Sequence, residues 1–310
     1  MNQSLEYTKG RDMHSRRDFI RSAAVCLGSC AFACSGVPVW AKPLDENGIR
    51  VRFLGTGVGP MGAKGNECGD WRRHTSILLD GRVLVDYTAI NRETLPSGCR
   101  PEAVFYTHSH PDHYNVEAAI ELGVKRVYCH ESWEDGARAQ FKEVAKGRAV
   151  PDVTGVAFGD PVVESGLTFR SLPANHLTGR KGERCSMYVV EKGNTRLLYA
   201  VDTCGIPREA LKYAQVSERS PARPLTAIVM EATAGIGHQD DAGFFFSHSS
   251  EELVARTVRA LEQTGRYRPP QGRNVYITHL WRPHYGRQAA IDAALPSPLK
   301  AAYDGLEIVF

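Results

Sequence analysis

The sequence predicts one α/β domain in which two β-sheets pack together and helices cover their outer sides. Strand patterns fall into two groups, one in each half of the chain, and each group closes with helical patterns. No Pro/Gly-rich linker or internal repeat divides the chain after its first forty residues. With 310 residues and a hydrophobic content of 42%, the chain can bury a core large enough for such a domain.

The first half opens with an alternating strand at 49–54 that leads into a glycine-rich turn at 55–60. This turn lacks the Lys-Ser/Thr pair of a phosphate-binding P-loop, so we expect a tight turn beside the active site. Asp80-Gly81 predicts a hairpin between two short strands. The remaining elements predicted here are strands at 76–79, 83–86, 103–106 and 126–129, and helices at 116–122 and 131–146.

The second half opens with four strand patterns, and residues 192–194 predict a hairpin between the last two. The helix at 251–263 is predicted because its apolar residues recur on one face. The elements predicted for this half are strands at 162–164, 167–172, 187–191, 196–200, 225–230 and 274–278, an edge strand at 306–310, and helices at 207–214 and 251–263.

The N-terminal segment 1–41 resembles a twin-arginine export signal. Arg16-Arg17 precede the apolar stretch 23–39, and Ala41 ends a plausible cleavage site. The resemblance implies contact with the twin-arginine export machinery and a periplasmic or otherwise extracytoplasmic location. We expect no stable membrane insertion once the signal is removed, which leaves 42–310 as the mature domain. A basic arm before a buried helix is the alternative, and lipoprotein anchoring at Cys30 is less favoured because the apolar run before it is short.

Cysteine usage and net charge exclude several classes of protein. Three of the eight cysteines lie in the N-terminal segment, and the other five form no CxxC pair. This argues against a zinc ribbon and against a dense disulfide scaffold, while the pairing of individual cysteines stays open. The net charge of +3 gives no reason to expect a nucleic-acid partner. The five cysteines are Cys68, Cys99, Cys129, Cys185 and Cys204.

A cluster of metal-binding side chains follows the predicted strand 103–106. His108, His110, Asp112 and His113 lie within six positions, where the strand ends and a loop begins. A lone histidine would be interpreted as part of a solvated polar turn, but three histidines and an aspartate after a buried strand indicate a metal site. Imidazole and carboxylate are the usual ligands of zinc or iron in hydrolytic sites.

Three further ligand candidates follow other predicted strands. His176 comes after the strand at 167–172, Asp202 after the strand at 196–200, and His279 after the strand at 274–278. Each of them alone is as readily an ordinary loop residue. Together with the cluster they predict a site for more than one metal ion.

This order of residues resembles the metallo-β-lactamase superfamily over 49–285. The resemblance implies a four-layer αββα sandwich and two divalent metal ions, with zinc expected first and iron or manganese as alternatives. It also implies that a hydroxide bridging the metals attacks the ester. By that resemblance His108, His110 and His176 hold one metal, Asp112, His113 and His279 hold the other, and Asp202 bridges them.

The motifs Phe53-Leu54-Gly55-Thr56-Gly57 and Val201-Asp202-Thr203 are similar to ribonuclease Z and related small-molecule phosphodiesterases. In that branch a histidine matching His248, held by a glutamate matching Glu231, assists proton transfer to the leaving group. We take Asp112, His248 and Glu231 as the catalytic residues. The alternative for His248 is a place at the N-terminus of the helix 251–263, where the neighbouring serines could act as caps.

The sequence departs from that branch in two respects. Only Cys68 stands where the cyclic phosphodiesterases often carry a cysteine cluster, and nothing resembles the tRNA-gripping arm of ribonuclease Z. Basic residues near the ligand loops could hold an anionic phosphate or sulfate, although each is as readily ordinary surface charge. These residues are Arg72, Arg73, Arg180, Lys181 and Arg282.

We therefore expect an exported dinuclear hydrolase that cleaves a phosphodiester or cyclic phosphate in a small anionic ester substrate. Arylsulfatase activity is the alternative, since a sulfate ester presents a similar tetrahedral anion. A β-lactamase or lactonase is less favoured because those enzymes lack a counterpart of His248 with Glu231, and a non-catalytic metal-binding protein is the opposing class. A diiron redox enzyme is disfavoured because it would normally need a flavin-binding domain. The oligomeric state stays open, with a homodimer as one alternative.

Overall fold

The computed structural model describes residues 47–59, 72–270 and 275–310, except for the side chain of Arg282. The predicted export signal at 1–41, with its cleavage site and Cys30, lies outside the described residues, as does Cys68. Within the described part of the chain, no helix combines the length and apolar character needed to cross a membrane.

Seven strands form the first sheet, in the order β14-β1-β2-β3-β4-β5-β6. Pairing is antiparallel from β14 to β3 and parallel from β3 to β6. The predicted hairpin joins β2 to β3, and both Asp80 and Gly81 have positive φ angles, 49° and 72°. The strands are β1 (Arg50–Gly55), β2 (Ser76–Leu79), β3 (Val83–Val85), β4 (Ala103–Phe105), β5 (Arg126–His130), β6 (Asp152–Val156) and β14 (Glu307–Val309).

Seven more strands form the second sheet, in the order β13-β12-β11-β10-β9-β8-β7. Pairing is antiparallel from β7 to β10, including the predicted hairpin between β9 and β10, and parallel from β10 to β13. The strands are β7 (Pro161–Glu164), β8 (Leu167–Pro173), β9 (Ser186–Lys192), β10 (Thr195–Ala200), β11 (Ala227–Glu231), β12 (Val275–Thr278) and β13 (Leu299–Ala301).

Helices cover the outer face of each sheet. In β3, Val83 and Val85 pack in the core between the sheets, whereas Leu84 packs in a separate cluster with Ala118 and Phe141 of the first two helices. This alternation follows from the two-residue period of a strand. The other three helices pack in the same way against the second sheet. The helices are α1 (Val116–Leu122), α2 (Glu134–Ala145), α3 (Arg208–Tyr213), α4 (Glu251–Gln263) and α5 (Gln288–Ala294).

The predicted α/β class and its αββα layers are confirmed by these two sheets and their helices. The helices at 116–122 and 251–263 have the predicted bounds. The helix predicted at 131–146 is instead a short 3-10 turn (Glu131–Trp133) followed by α2. Asn115 and Ser250 begin α1 and α4, and their side chains accept hydrogen bonds from the amides of Ala118 and Leu253.

Among the strands and α-helices, three were not predicted, namely β6, β13 and α5. In β6 the fourth of the five residues is Gly155, which interrupts the strand pattern. Glycine is required there because a Cβ would lie 2.4 Å from the Glu134 carboxylate. Strand β11 begins at Ala227 and not at the predicted Leu225, which forms only an isolated bridge with Tyr267.

Candidate metal centre

The seven predicted ligands come together beyond the ends of four strands. His108 follows β4, His176 follows β8, Asp202 follows β10 and His279 follows β12. Strands β10 and β12 belong to the parallel part of the second sheet, so their carboxyl ends lie at one edge. Within each of two groups of three, the ligand atoms lie within 4.8 Å of one another. These groups are His108, His110 and His176, and Asp112, His113 and His279.

In the first group three ring nitrogens converge. His110 Nδ1 lies 2.9 Å from His108 Nε2 and 3.2 Å from His176 Nε2. The opposite nitrogen of His176 lies 3.3 Å from the carbonyl oxygen of Ser247, which can only accept a hydrogen bond. Nδ1 of His176 therefore carries the proton, and its Nε2 presents a lone pair to the group.

In the second group His113 Nε2 and His279 Nε2 lie 3.1 Å apart. The hydroxyl of Thr233 donates to the His279 carbonyl oxygen at 2.8 Å, so it accepts from His279 Nδ1 at 2.7 Å. Nε2 of His279 is therefore a lone-pair donor. Asp112 Oδ2 lies 3.8 Å from His113 Nε2 and 4.0 Å from His279 Nε2, and it accepts a hydrogen bond from the amide of Gly59 at 2.9 Å. The glycine-rich turn thus lies beside this group.

Asp202 lies between the two groups. Its Oδ2 atom is 2.9 Å from His113 Nε2 and 3.2 Å from His279 Nε2, and its Oδ1 atom is 3.5 Å from His176 Nε2. Oδ2 is buried without an aligned hydrogen-bond partner. A buried carboxylate oxygen in that state is costly unless another group satisfies it. This is the position expected of a ligand shared by two cations.

The charges at the centre favour a bound cation. Burial opposes a charge on His113, but the carboxylates of Asp202, Asp112 and Asp86 outweigh it and raise its pKa well above the usual value. Burial also works against the Asp202 carboxylate, yet the surrounding imidazoles hold its pKa well below the usual value. Burial lowers the pKa of His279 to about 4, so this imidazole is neutral near pH 7. The converging carboxylates and the lone pairs of neutral imidazoles fit divalent metal ions.

His248 faces Glu231, as predicted. Its Nδ1 atom lies 3.2 Å from each Glu231 oxygen and 3.7 Å from Asp202 Oδ1. Burial works against a charged His248, but the Glu231 carboxylate outweighs it and the pKa rises to about 9. Ser250, one of the neighbouring serines, supplies the cap of α4, and His248 lies two residues before it with its ring beside Glu231. Glu231 is fully buried and accepts hydrogen bonds from the amides of Thr203 and Thr233.

Asp86 also belongs to the site, although it was not predicted from the sequence. It directly follows β3, and its Oδ2 atom lies 2.7 Å from His113 Nδ1. It also accepts from the hydroxyl of Thr107 at 2.8 Å, and that hydroxyl lies 3.0 Å from His108 Nδ1. Because the Thr107 proton points to Asp86, the hydroxyl accepts from His108. A polar residue at a strand end, beside the strand of His108, was the signal that could have revealed it.

Two of the basic residues considered for anion binding make structural contacts instead. The buried Arg72 guanidinium donates to Thr56 and to the carbonyl oxygen of Ala302, at 2.8 and 2.9 Å. Arg73 pairs with Glu93 and Asp304. Arg180 and Lys181 are exposed in the loop that follows His176.

We predict that Asp86→Asn lowers metal affinity by about 10- to 100-fold, because an amide NH₂ cannot accept the protons that orient His113 and Thr107. Metal content after dialysis against graded chelator measures the effect. The matched control is Asp80→Asn, another aspartate of the first sheet with a positive φ angle. Equal metal retention in both variants would show that Asp86 does not orient the ligands.

The comparisons with known proteins agree with this fold. Residues 85–279 match the family model described as a Beta-lactamase superfamily domain. A search of curated proteins found no match. A diphosphatase from the PhnP family is similar in structure, with a TM-score of 0.61 and 21% identity over 85% of this chain and 97% of that chain. Unliganded yeast PDE1 has a TM-score of 0.58 and 10% identity over 85% and 99% of the two chains.

A third similar structure is CmlA, a diiron β-hydroxylase from Streptomyces venezuelae, with a TM-score of 0.51 and 15% identity over 87% of this chain and 55% of that chain. The fold is therefore not confined to hydrolases. At these identities the structural likenesses establish the fold alone, whereas the family model covers well over half of the sequence. The chain belongs to the beta-lactamase superfamily and has the αββα metallo-β-lactamase fold.

Proposed function

We propose that this protein is a dinuclear metal-dependent hydrolase that cleaves a phosphodiester or cyclic phosphate ester. The observation that carries the proposal is the His248–Glu231 pair, which lies directly beside two groups of metal-binding side chains. Such a pair supplies a proton donor in the place where an ester would lose its leaving oxygen. A site that only stored metal ions would have no use for a proton donor.

His108, His110 and His176 would hold one metal ion, Asp112, His113 and His279 the other, and Asp202 both. Zinc is the first expectation, and iron or manganese would fit the same ligands. When bound, the two ions would lower the pKa of a water molecule and neutralise charge on the ester oxygens. Asp86, Thr107 and Thr233 accept hydrogen bonds from Nδ1 of His113, His108 and His279, which directs Nε2 of each ring towards the metal sites.

The protein's own part in the reaction is proton transfer. His248 is protonated near pH 7 because Glu231 raises its pKa to about 9, so it can donate a proton to an alkoxide leaving group. Glu231 is held by two backbone amides, which fixes the direction from which it orients the imidazole. The pair also favours ester hydrolysis over the oxidative chemistry of a diiron enzyme, which has no leaving alkoxide to protonate.

The names of two similar structures, a diphosphatase and PDE1, are consistent with a phosphate ester as substrate. A sulfate ester is the second candidate, since its tetrahedral anion would meet the same metals and the same proton donor. A β-lactam or lactone is less favoured, because the His248–Glu231 pair is not a feature of those enzymes.

The metal-loaded protein should contain two metal ions per chain and should hydrolyse bis(p-nitrophenyl) phosphate, because the ligands form two groups around Asp202. Chelation should abolish the hydrolysis, and added zinc, manganese or iron should restore it. p-Nitrophenyl sulfate and nitrocefin are the comparison substrates. Turnover of the sulfate alone would favour the second candidate, and turnover of nitrocefin alone would contradict the proposal.

His248→Ala should lower kcat by about 10²- to 10⁴-fold for esters with alkyl leaving groups, because an alkoxide needs a proton as it departs. The loss should be much smaller for p-nitrophenolate, which leaves unprotonated. His238→Ala, in the same segment but paired with Asp241 and not with Glu231, is the control. Equal losses on both kinds of substrate would remove the proton-donating role from His248.

We also propose that the chain acts outside the cytoplasm, on the basis of Arg16-Arg17 and the apolar stretch that follows them. Replacing both arginines with lysine should retain the protein in the cytoplasm, because the export machinery recognises the pair. Cell fractionation and the size of the N-terminally processed chain measure this, with Arg11→Lys as the control. Export of the double variant at the normal rate would contradict this route.

A further inference from the structure

Exposed apolar side chains are concentrated in the segments that carry His176 and His248. Leu177, which follows His176, is 85% exposed, and Phe246, two residues before His248, is 77% exposed. Phe245 and Ile236 are exposed as well, so these segments supply four of the eight large exposed hydrophobic residues found in the described chain. Single exposed apolar residues need no explanation, but their concentration beside a catalytic centre marks a ligand-contacting surface.

The segment 234–248 is fixed to the metal centre by hydrogen bonds. The carbonyl oxygen of Phe244 accepts from the amide of His248 at 2.9 Å, and the carbonyl oxygen of Ser247 faces His176 Nδ1. Gln239 donates to the carbonyl oxygen of His248 at 2.9 Å. The thiol of Cys204, two residues after Asp202, donates to the carbonyl oxygen of Phe245 at 3.2 Å. The bonds at His176 and Cys204 therefore hold Ser247 and Phe245 next to the ligand loops, and the other two bonds order the segment internally.

Aromatic rings extend from the proton donor along this side of the centre. The ring of Phe244 lies 6.0 Å from the ring of His248 and 5.0 Å from that of Trp281, at interplanar angles of 65° and 61°. Trp281 comes two residues after His279 and lies 4.8 Å from the ring of His284. Both Phe244 and Trp281 are only half-buried. We call Leu177, Phe244, Phe246 and Trp281 the apolar rim.

We infer that the apolar rim binds the alcohol half of the ester, and that this half is an aryl group. The inference rests on the proposed hydrolase function, because it places the leaving oxygen at His248, next to Phe244. A planar aryl ring would gain favourable packing against the aromatic side chains of the rim, whereas a sugar or polyol would bury less apolar surface against them. The inference concerns only the leaving group, and it holds whether the ester is a phosphate or a sulfate.

An aryl leaving group is compatible with the proton donor. A phenol without electron-withdrawing groups has a pKa of about 10, so near pH 7 its oxygen ends the reaction protonated. His248 can supply that proton as the bond to phosphorus or sulfur breaks, and the incoming water supplies the oxygen that the acid half gains. No oxidant or further reactant is needed.

The test compares methyl phenyl phosphate with methyl 2-naphthyl phosphate, and phenyl sulfate with 2-naphthyl sulfate, on the metal-loaded enzyme. The two phenols are similar in acidity, so a difference in kcat/KM reports contact with the larger ring. We expect a preference for naphthyl of roughly tenfold. Phe246→Ser and Leu177→Ser should remove most of it, while Val163→Ser, an equally exposed apolar residue of β7, should leave it unchanged.

Binding provides a second readout that does not depend on turnover. 2-Naphthylmethylphosphonic acid, which has no ester bond to cleave, should bind roughly tenfold more tightly than methylphosphonic acid by calorimetry, and the two rim variants should lose that difference. If no ester is cleaved while this difference persists, the hydrolase proposal fails, and only the preference of the rim for an aryl group is retained. If esters are cleaved with equal efficiency for both rings, or if the rim variants lose activity equally on both, the rim inference is overturned.

Discussion

The buried carboxylate of Asp86 determines which nitrogen of two histidines faces the metal centre. It accepts the Nδ1 proton of His113 directly and that of His108 through the hydroxyl of Thr107. Because His108 and His113 belong to different ligand groups, one carboxylate orients both halves of the centre. A histidine that turned over would present a proton in place of a lone pair, and that group of ligands would lose a donor.

The positions of these residues follow from the two sheets. Asp86, Asp202 and His279 each come directly or almost directly after a strand, and all three have positive φ angles, between 48° and 56°. Residues other than glycine rarely adopt this backbone conformation, and it costs of order 1–3 kcal/mol per residue where the surroundings impose it. Here the hydrogen bonds of the strands and the packing of the sheets impose it, and the sharp turn directs each side chain into the centre.

Much of the fold and the arrangement of the ligands could be predicted from the sequence. A histidine or aspartate after a buried strand is visible in the sequence, and parallel strands bring such residues together without any knowledge of the loops. Asp86 also follows a strand, but it was not predicted, because one aspartate after a hairpin strand resembles an ordinary turn residue. Strand β6 was missed because Gly155, which allows a close approach to Glu134, interrupts the pattern.

The basic residues show a second limit of sequence reasoning. Arg72 was considered for anion binding because of its place near the ligand loops, yet its guanidinium is buried and hydrogen-bonded to Thr56 and Ala302. The role of a charged side chain depends on partners that can be distant in the sequence. Ala302, for example, lies 230 residues from Arg72. The pairing of His248 with Glu231 is also non-local, and it was predicted only because a family resemblance supplied it.

The residues of the centre lie on two kinds of structure, strand ends and one segment outside the sheets. The metal-binding side chains lie at strand ends, where the sheets fix them, whereas His248 and the phenylalanines lie together on the segment 234–248. Hydrogen bonds from Cys204 to Phe245 and from His176 to Ser247 hold that segment against the strand ends without placing it in a sheet. In the proposed hydrolase, substitutions there would therefore change the leaving group that the site accepts and leave the metal ligands undisturbed. In the proposed reaction the donor His248 shares this segment with two of the four rim residues, Phe244 and Phe246. A shift of the segment that admitted a different leaving group would also move the donor relative to the leaving oxygen, which would couple substrate choice to the rate of bond cleavage.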